Sequence, residues 1–363
     1  MHNADPAIPP VPGAAPAGSV MRDEIHEQPD VLARLLSGAG AVVEAVAREA
    51  HTCSLAVLAA RGSSDNASTY GKYLIESLAG LPAALAAPSL YTLYQAPPRT
   101  GRALAIGVSQ SGEAADVAEV IAETRRQGAV TLGVTNMPGS LLARTAEHVI
   151  LLNAGVEKAL AATKTVSAQC LAYAMLALRM AKPGRVAETA GIDDVPRQAA
   201  AVLAQEADIR DQASHWLDAR RVAVIGRGYA YGAAQELALK LKETSFINAE
   251  PYSSADFMHG PLAIIEPGYS VLVLLNHDAT LEMNLALVEE LVRRGADVWV
   301  VATRQAAERA PARARVLSVD APNPLFSPIS FIVAGQLFAL HLSLLRGNNP
   351  DLSRGVSKVT VTR

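Results

Sequence analysis

Short apolar runs alternate with longer helix-like stretches along the chain from about residue 54 onwards. Runs of about four to eight residues without polar alternation are typical of parallel strands that helices cover on both faces. Eight such runs predict strands, at residues 54–60, 103–109, 130–136 and 148–153 in the first half and at 222–226, 270–276, 297–303 and 314–319 in the second. The pattern therefore predicts an α/β fold.

The two halves repeat one plan. "AVLAARGSS" in the first half corresponds to "VAVIGRGYA" in the second, and "GAVTLGVTN" corresponds to "GADVWVVAT". This order predicts an internal duplication of a doubly wound unit, with a boundary near residues 190–215, where "GIDDVPRQ" interrupts the pattern. We expect four segments: a flexible leader at 1–20, a first subdomain at 21–195, a second at 205–345 and a C-terminal tail at 346–363.

Composition limits the classes of protein that this chain can be. Its 363 residues, half of them hydrophobic, are enough for two cores. A formal charge of -3 gives no reason to expect binding to nucleic acid or to an anionic membrane. The two cysteines, Cys53 and Cys170, have no metal-ligand spacing, and no histidine pair has one either, so we predict no metal and a cytoplasmic location.

Targeting and membrane segments are not expected. The N-terminal residues lack the basic start and unbroken apolar core of a signal peptide. The apolar stretch at residues 328–345 is interrupted by Ser, Gly, Gln and His, so it predicts a buried helix rather than a membrane span.

"IGVSQSGEAAD" places hydroxyl and amide side chains directly after a predicted strand. Ser109, Gln110 and Ser111, followed by the start of a helix, could supply the converging donors that a phosphate needs. Ser64, in "RGSSDNAS" after the first strand, offers a second set at the neighbouring strand end. Capping of the two helices is the alternative reading of these serines. No nucleotide-binding P-loop occurs, and in "GRGYAYG" the third glycine is displaced from a dinucleotide fingerprint, so we expect no cofactor.

The second half carries the candidates for acid and base chemistry. The residues 234–250 predict a helix with Glu236, Lys240 and Glu243 on one face. Such a face is ordinarily solvated, but a carboxylate whose pKa a neighbouring lysine tunes could act as a general base. His259 precedes a Gly-Pro turn, and Lys358 lies in a β-like tail; on sequence alone each is ordinarily structural or solvated.

Five motifs, in order along the chain, resemble one family: the sugar isomerase (SIS) domains of glucosamine-6-phosphate synthase and of the type II glucosamine-6-phosphate deaminases. They are "GVSQSGEAAD", "NAGVEKALAATKT", "IGRGYAYGAAQELALKLKETSFINAE", "HGPLAII" and "SKVTV". The resemblance implies two flavodoxin-like SIS subdomains. It also implies a homodimer that binds a phosphorylated amino sugar near the subunit interface without a cofactor.

The same resemblance implies roles for individual residues. Glu243 would move the proton between C1 and C2, His259 would assist ring opening, and Lys358 would contact the open-chain sugar. The implied phosphate ligands are Ser64, Ser109, Gln110 and Ser111, and the segment with Glu157 and Leu160 would close over the sugar. Ala114 departs from the pattern because the synthase has a phosphate-binding threonine there. The tail "NNPDLSRGVSK" also departs from the usual form, which leaves the role of Lys358 the least secure.

These roles predict an enzyme that converts glucosamine 6-phosphate and water into fructose 6-phosphate and ammonia. Only about twenty residues precede the SIS region, so we do not expect the chain to draw ammonia from glutamine. Three alternatives stay open: a fructosamine 6-phosphate deglycase, a simple phosphosugar isomerase, and a non-catalytic sugar-phosphate sensor. Retention of the acid and base residues favours an enzyme over the sensor.

Overall fold

The computed structural model of this chain describes residues 16–185 and 190–352. Ten strands form two five-stranded parallel sheets. The strands of the first sheet are β1 (Ala56–Ala59), β2 (Ala83–Leu85), β3 (Leu104–Val108), β4 (Val130–Thr135) and β5 (His148–Leu151). Those of the second are β6 (Arg221–Gly226), β7 (Asn248–Ser253), β8 (Ser270–Leu275), β9 (Asp297–Thr303) and β10 (Arg315–Val319).

The described residues also form fifteen α-helices. In the first half they are α1 (Ser19–His26), α2 (Gln28–Gly38), α3 (Gly40–Ala50), α4 (Ser63–Leu74), α5 (Ser89–Thr92), α6 (Ala115–Arg126), α7 (Leu141–Thr145) and α8 (Lys164–Arg179). In the second half they are α9 (Val195–Leu203), α10 (Glu206–Ser214), α11 (Tyr231–Ser245), α12 (Ser254–Met258), α13 (Leu281–Arg293), α14 (Arg304–Ala307) and α15 (Ser327–Leu345).

The two sheets have the same strand order. The first runs β2-β1-β3-β4-β5, and the second, read from its other edge, runs β7-β6-β8-β9-β10. All neighbouring strands are parallel, and the central ones are buried along their whole length, as the unbroken apolar runs predict. The predicted α/β class, the duplicated plan and all eight predicted strands are therefore confirmed.

Both edge strands next to β1 and β6 escaped prediction. β2 has three residues, and β7 contains Pro251, which an edge strand tolerates because one side of its backbone needs no partner. The predicted helix at 234–250 is wrong at its C-terminal end. The helix α11 stops at Ser245, where Phe246 adopts a left-handed conformation with φ +54°, and β7 begins two residues later.

The hydrophobic core is not divided into the two separate cores that the sequence predicts. One continuous apolar cluster takes residues from the inner faces of both sheets and from the helices between them, while two smaller clusters cover the outer faces. Helices α4 and α11 meet in this shared layer at Gly232, where a Cβ atom would lie 2.6 Å from the carbonyl oxygen of Asn66. The glycine lets the two backbones touch, so the halves pack as one body.

Both ends of the described chain meet at α1. This helix begins at Ser19, so the last residues of the predicted leader are helical, and Met21 is fully buried. The carboxylate of Asp351 accepts hydrogen bonds from the backbone N–H groups of Val20 (3.1 Å) and Met21 (2.9 Å). Helix α15 is long and apolar enough to cross a membrane, but 89% of its apolar window is buried inside the protein, as predicted for a core helix.

Candidate functional site

The two serine-rich loops lie side by side. Strands β1 and β3 are neighbours, with Ala59 opposite Gly107, so the loops that follow them leave the same edge of the sheet. The strand order reverses between these two strands, and ligands of open α/β sheets bind at such a point. Ser64, in the first turn of α4, and Ser109, directly after β3, are both buried. The structure thus brings together the two serine loops that the sequence identifies as candidates for an anion site.

The loop after β3 is a tight turn that depends on Gly112. Ser109 Oγ accepts the Gly112 N–H at 3.1 Å, and Ser111 Oγ accepts the Glu113 N–H at 3.3 Å. Gly112 has φ +67°, and a Cβ atom there would lie 2.0 Å from Ser140 Oγ. The turn therefore needs glycine for both its backbone angle and its close approach to the next loop.

An ion pair joins the two loops. Arg61, in the loop after β1, lies with its guanidinium 2.7 Å from the carboxylate of Asp116 in the first turn of α6. Asp116 is buried, whereas half of the Arg61 side chain is exposed. The pair fixes the distance between the loops, and no local sequence pattern predicts it. Ala114 occupies the N-cap position of α6 and provides no side-chain cap.

Helix α11 presents the predicted acidic and basic face inward rather than to solvent. Lys240 Nζ lies 3.3 Å from Glu236 Oε1 and 2.5 Å from Glu243 Oε2. Burial raises the pKa of Glu236 and works to lower the pKa of Lys240, but the two carboxylates outweigh burial and raise the pKa of Lys240. The lysine therefore stays charged inside the protein, and the solvated-face reading is wrong.

This charged group connects α11 to the first serine loop. Ser63 Oγ donates to Glu236 Oε1 at 3.0 Å, and Asn66 Nδ2 donates to Glu236 Oε2 at 2.8 Å. Lys240 Nζ also donates to Ser63 Oγ at 3.3 Å. Ser63 is thus engaged by the α11 residues, while its neighbour Ser64 is the buried serine at the start of α4. The candidate base and the candidate anion site are held together across the two halves.

Residues 154–163 form a loop, called here the 154–163 loop. Glu157 lies in it, and its carboxylate points toward the start of α8. It accepts the backbone N–H groups of Thr163 and Thr165, both at 3.0 Å, and the Thr165 hydroxyl at 2.9 Å. These bonds satisfy N–H groups that a helix start leaves unpaired. Leu160, in the same loop, is partly buried. Glu157 therefore shapes the loop, and closure of the loop over a sugar stays a prediction.

A cleft of about 790 Å³ opens beside the second serine loop. Gln110, Ser111 and Glu157 line it, and its other walls come from loops at the carboxyl ends of β4 and β5. None of its lining residues belongs to α11. The cleft and the charged group on α11 therefore share no lining residue.

His259 and Lys358 are not brought to this site by the described residues. His259 is exposed at the end of α12, where its backbone N–H donates to the Asp256 carbonyl at 3.1 Å. Its ring makes no hydrogen bond within residues 16–185 and 190–352, including to Glu243. Lys358 lies outside the described residues. Within the same two ranges, no group of three or more His, Cys, Asp or Glu residues could hold a metal ion.

The SIS domain family matches residues 52–179 and 216–346, most of each repeated half. The chain belongs to the SIS domain family. This membership places it among the phosphosugar isomerase (SIS) proteins.

Individual relatives agree with this assignment. A glutamine–fructose-6-phosphate aminotransferase [isomerizing] from Thermus thermophilus is 35% identical over 358 residues, covering 94% of this chain and 58% of its own length. The SIS chain thus spans little more than half of that relative. The C-terminal domain of the Francisella tularensis glucosamine-fructose-6-phosphate aminotransferase has a TM-score of 0.83 at 27% identity, covering 90% of this chain and 96% of its own. A candidate phosphosugar isomerase from Silicibacter pomeroyi has a TM-score of 0.82 at 34% identity, covering 92% and 99%.

Proposed function

We propose that this SIS protein is a glucosamine-6-phosphate deaminase, which converts glucosamine 6-phosphate and water into fructose 6-phosphate and ammonia. The observation that carries the proposal is the charged group on α11, in which buried Lys240 holds the half-buried Glu243 at 2.5 Å. Ser63 and Asn66 attach this charged group to the first serine loop, which follows β1. A relative at 35% identity named as an aminotransferase that isomerises fructose 6-phosphate supports the choice of a six-carbon amino sugar.

The chemistry follows from these residues. Ring opening exposes an aldehyde at C1, which acidifies the C–H bond at C2 next to the amine. Glu243 takes the C2 proton and returns it to C1, and a second proton passes from the C2 amine to the C1 oxygen, so that C1 becomes a hydroxymethyl group and C2 an imine. Water then adds to the imine carbon, and its nitrogen leaves as ammonia. Lys240 keeps its own proton and fixes the carboxylate, while the serine loops hold the phosphate and align the sugar.

We place the phosphate between the two serine loops, with Ser64, Ser109, Gln110 and Ser111 as donors. Leu160 and the rest of the 154–163 loop would close over the sugar. Lys358 would contact the open-chain sugar. The cytoplasm is part of the same proposal, and the free thiols of Cys53 and Cys170 suit a reducing compartment.

His259 fits this scheme as a residue supplied by a second copy of the chain. It is exposed, makes no hydrogen bond to Glu243 in its own described chain, and lies between the exposed apolar side chains of Met258 and Ile264. We therefore propose a homodimer in which His259 of each copy completes the site of the other. Mixing inactive Glu243→Gln with inactive His259→Ala should restore about a quarter of wild-type activity, because half of the pairs are mixed and each holds one intact site. No recovery after subunit exchange would contradict the shared site.

The reaction is tested by incubating the purified protein with glucosamine 6-phosphate and measuring ammonia and fructose 6-phosphate together. Equal amounts of both are expected from the wild type and neither from Glu243→Gln, which should still bind the sugar phosphate by calorimetry. Parallel assays with an N-substituted fructosamine 6-phosphate and with glucose 6-phosphate test the deglycase and the simple isomerase. Binding of sugar phosphate without turnover of any of these compounds would contradict the proposal and leave a sensor.

A further inference from the structure

The junction of α1 and α2, residues 24–28, contacts the 154–163 loop at several points. Glu24 lies in the last turn of α1, Glu27 lies between the two helices, and Gln28 begins α2. Glu24 is bonded directly to the loop, Glu27 forms an ion pair with the residue after it, and Gln28 reaches it through another glutamine. This short stretch was not among the predicted site residues.

Glu24 makes the direct contacts. Its buried carboxylate accepts the backbone N–H groups of Lys158 and Ala159, the latter at 3.2 Å. It also accepts the Thr163 hydroxyl at 3.1 Å. The contacts span sequence separations of 134 to 139 residues and hold the segment on both sides of Leu160. The carboxylate thus fixes the backbone of the loop where the candidate sugar contact lies.

A buried carboxylate is retained only where it is well hydrogen-bonded. Burial raises the pKa of Glu24, the hydrogen bonds from Lys158 and Ala159 lower it, and the nearby charge of Glu157 raises it. The Thr163 hydroxyl lies 3.1 Å from Glu24 and 3.2 Å from Glu157, so one hydroxyl stands between two carboxylates. The loop therefore depends on Glu24 from outside and on Glu157 from within.

Two neighbouring contacts hold the end of the loop. Gln28 Nε2 donates to Gln336 Oε1 at 2.9 Å, and Gln336 Nε2 donates to the Thr163 carbonyl at 3.1 Å. Lys164 Nζ lies 2.5 Å from Glu27 Oε2. The chain stretch "EIHEQ" thus supports the last residue of the loop and the first residue of α8, which leaves Glu24 as the contact to the middle of the loop.

We propose that Glu24 is a positioning residue for sugar binding, which holds the 154–163 loop in the conformation that closes over the sugar. This inference rests on the proposed function, since it takes the bound sugar phosphate as the ligand that the loop covers. Glu24 itself touches no substrate. It therefore affects recognition of the sugar, while the phosphate group is bound by the serine loops at the ends of β1 and β3.

The test compares Glu24→Gln with the wild type. Its matched control is Glu206→Gln, which removes a carboxylate bonded to Arg22 (2.8 Å) and His26 (2.9 Å) on the same helix, without contact to the loop. Hydrogen exchange without ligand should be about tenfold faster at residues 158–159 in Glu24→Gln, because a hydrogen bond to a charged acceptor is lost. Exchange at residues 158–159 is compared with exchange in β3 of the same variant, which corrects for any change in global stability, and this ratio should not change in Glu206→Gln.

Ligand binding gives the second measurement. In Glu24→Gln the KM for glucosamine 6-phosphate should rise about tenfold, while the Kd of inorganic phosphate stays within about twofold of the wild type. Unchanged loop exchange in Glu24→Gln would overturn the proposal. So would an equal loss of affinity for inorganic phosphate and for the sugar phosphate, because that result indicates a general loss of structure. If the wild type fails to turn over glucosamine 6-phosphate, the proposed function fails, and the exchange experiment still decides whether Glu24 holds the loop.

Discussion

Lys240 Nζ lies 2.5 Å from Glu243 Oε2, and the two side chains differ in exposure, since the lysine is fully buried and 30% of the glutamate is accessible. The ammonium group therefore has no access to water and is balanced by Glu243 and the buried Glu236. A carboxylate fixed from inside the protein and open on its other side is suited to accept and return a proton. The buried Lys240 of α11 thus fixes the orientation of the candidate base, Glu243.

Replacing Lys240 by Met should destabilise the protein and abolish turnover. The change leaves the Glu236 carboxylate buried without its counter-charge, and breaking a buried pair in this way typically costs about 3 to 5 kcal/mol in the free energy of unfolding. Urea denaturation measures the loss. The double variant with Glu236→Gln should recover much of the stability but none of the activity. An unchanged urea midpoint in the single variant would show that the ion pair does not support the fold.

Replacing Gly112 by Ala should damage the phosphate site more than the fold as a whole. A Cβ atom would lie 2.0 Å from Ser140 Oγ and 2.7 Å from Thr135 Oγ1, so the loop must shift, and with it the proposed phosphate donors Ser109 and Ser111. Gly101→Ala is the control, because Gly101 also has a positive φ of +56° but no atom within 4 Å of the new methyl group. Calorimetry with inorganic phosphate should show lost binding for Gly112→Ala alone. Equal binding by both variants would contradict the role of this turn.

Replacing Ala114 by Thr should stabilise the protein and strengthen phosphate binding. Ala114 has the extended backbone of an N-cap, with φ -67° and ψ 102°, but no side-chain oxygen to accept a hydrogen bond from the first N–H groups of α6. A threonine cap should add about 1 kcal/mol to the free energy of unfolding. It would also place a hydroxyl at the serine loops, so the KM should fall. Ala114→Val has the same shape without the hydroxyl and should show neither gain, which separates the oxygen from the added volume.

The parts of the molecule that could be predicted from sequence are those that depend on residues adjacent in the chain. The apolar runs of β3 and β8 identify buried strands, and Ser109 and Ser111 are next to each other in the loop they form. The edge strands β2 and β7 were missed because short, polar or proline-containing strands lack such a run. The predicted helix at 234–250 runs past the end of α11, because its residues favour a helix beyond the point where Phe246 ends it.

The missed parts of the site depend on contacts between distant residues. Arg61 and Asp116 are separated by 55 positions, and Glu24 lies 134 positions from Lys158. Neither pair has a local pattern, because only the packing of α1 and of the two sheet loops brings the groups together. The burial of Lys240 was missed for the same reason, since i, i+4 spacing does not reveal whether a helix face meets solvent or another helix.

Lowering the pH should reduce the free energy of unfolding through protonation of Glu206. Arg22, His26 and His341 surround its carboxylate, and their hydrogen bonds lower the pKa of Glu206 to about 2. Because the pKa in the folded state lies below the ordinary value, the carboxylate stabilises the fold above the ordinary pKa of about 4.5. That stability is lost as the pH falls from there through about 2.

Burial lowers the pKa of His341, so its own loss of stability begins at higher pH, just below its ordinary value near 6.5. Comparing wild type with Glu206→Gln by urea denaturation measures the contribution of the Glu206 charge, including its contact with His341 at 2.9 Å. At about pH 5 the variant should be less stable by about 1 to 2 kcal/mol, an estimate that allows for solvent screening of the half-exposed Arg22. At about pH 3 the difference should shrink, because the unfolded wild-type chain, in which the pKa of Glu206 is about 4.5, is then protonated while the folded carboxylate is still mostly charged. A difference that stays constant between these pH values would mean that Glu206 contributes through packing and not through its charge.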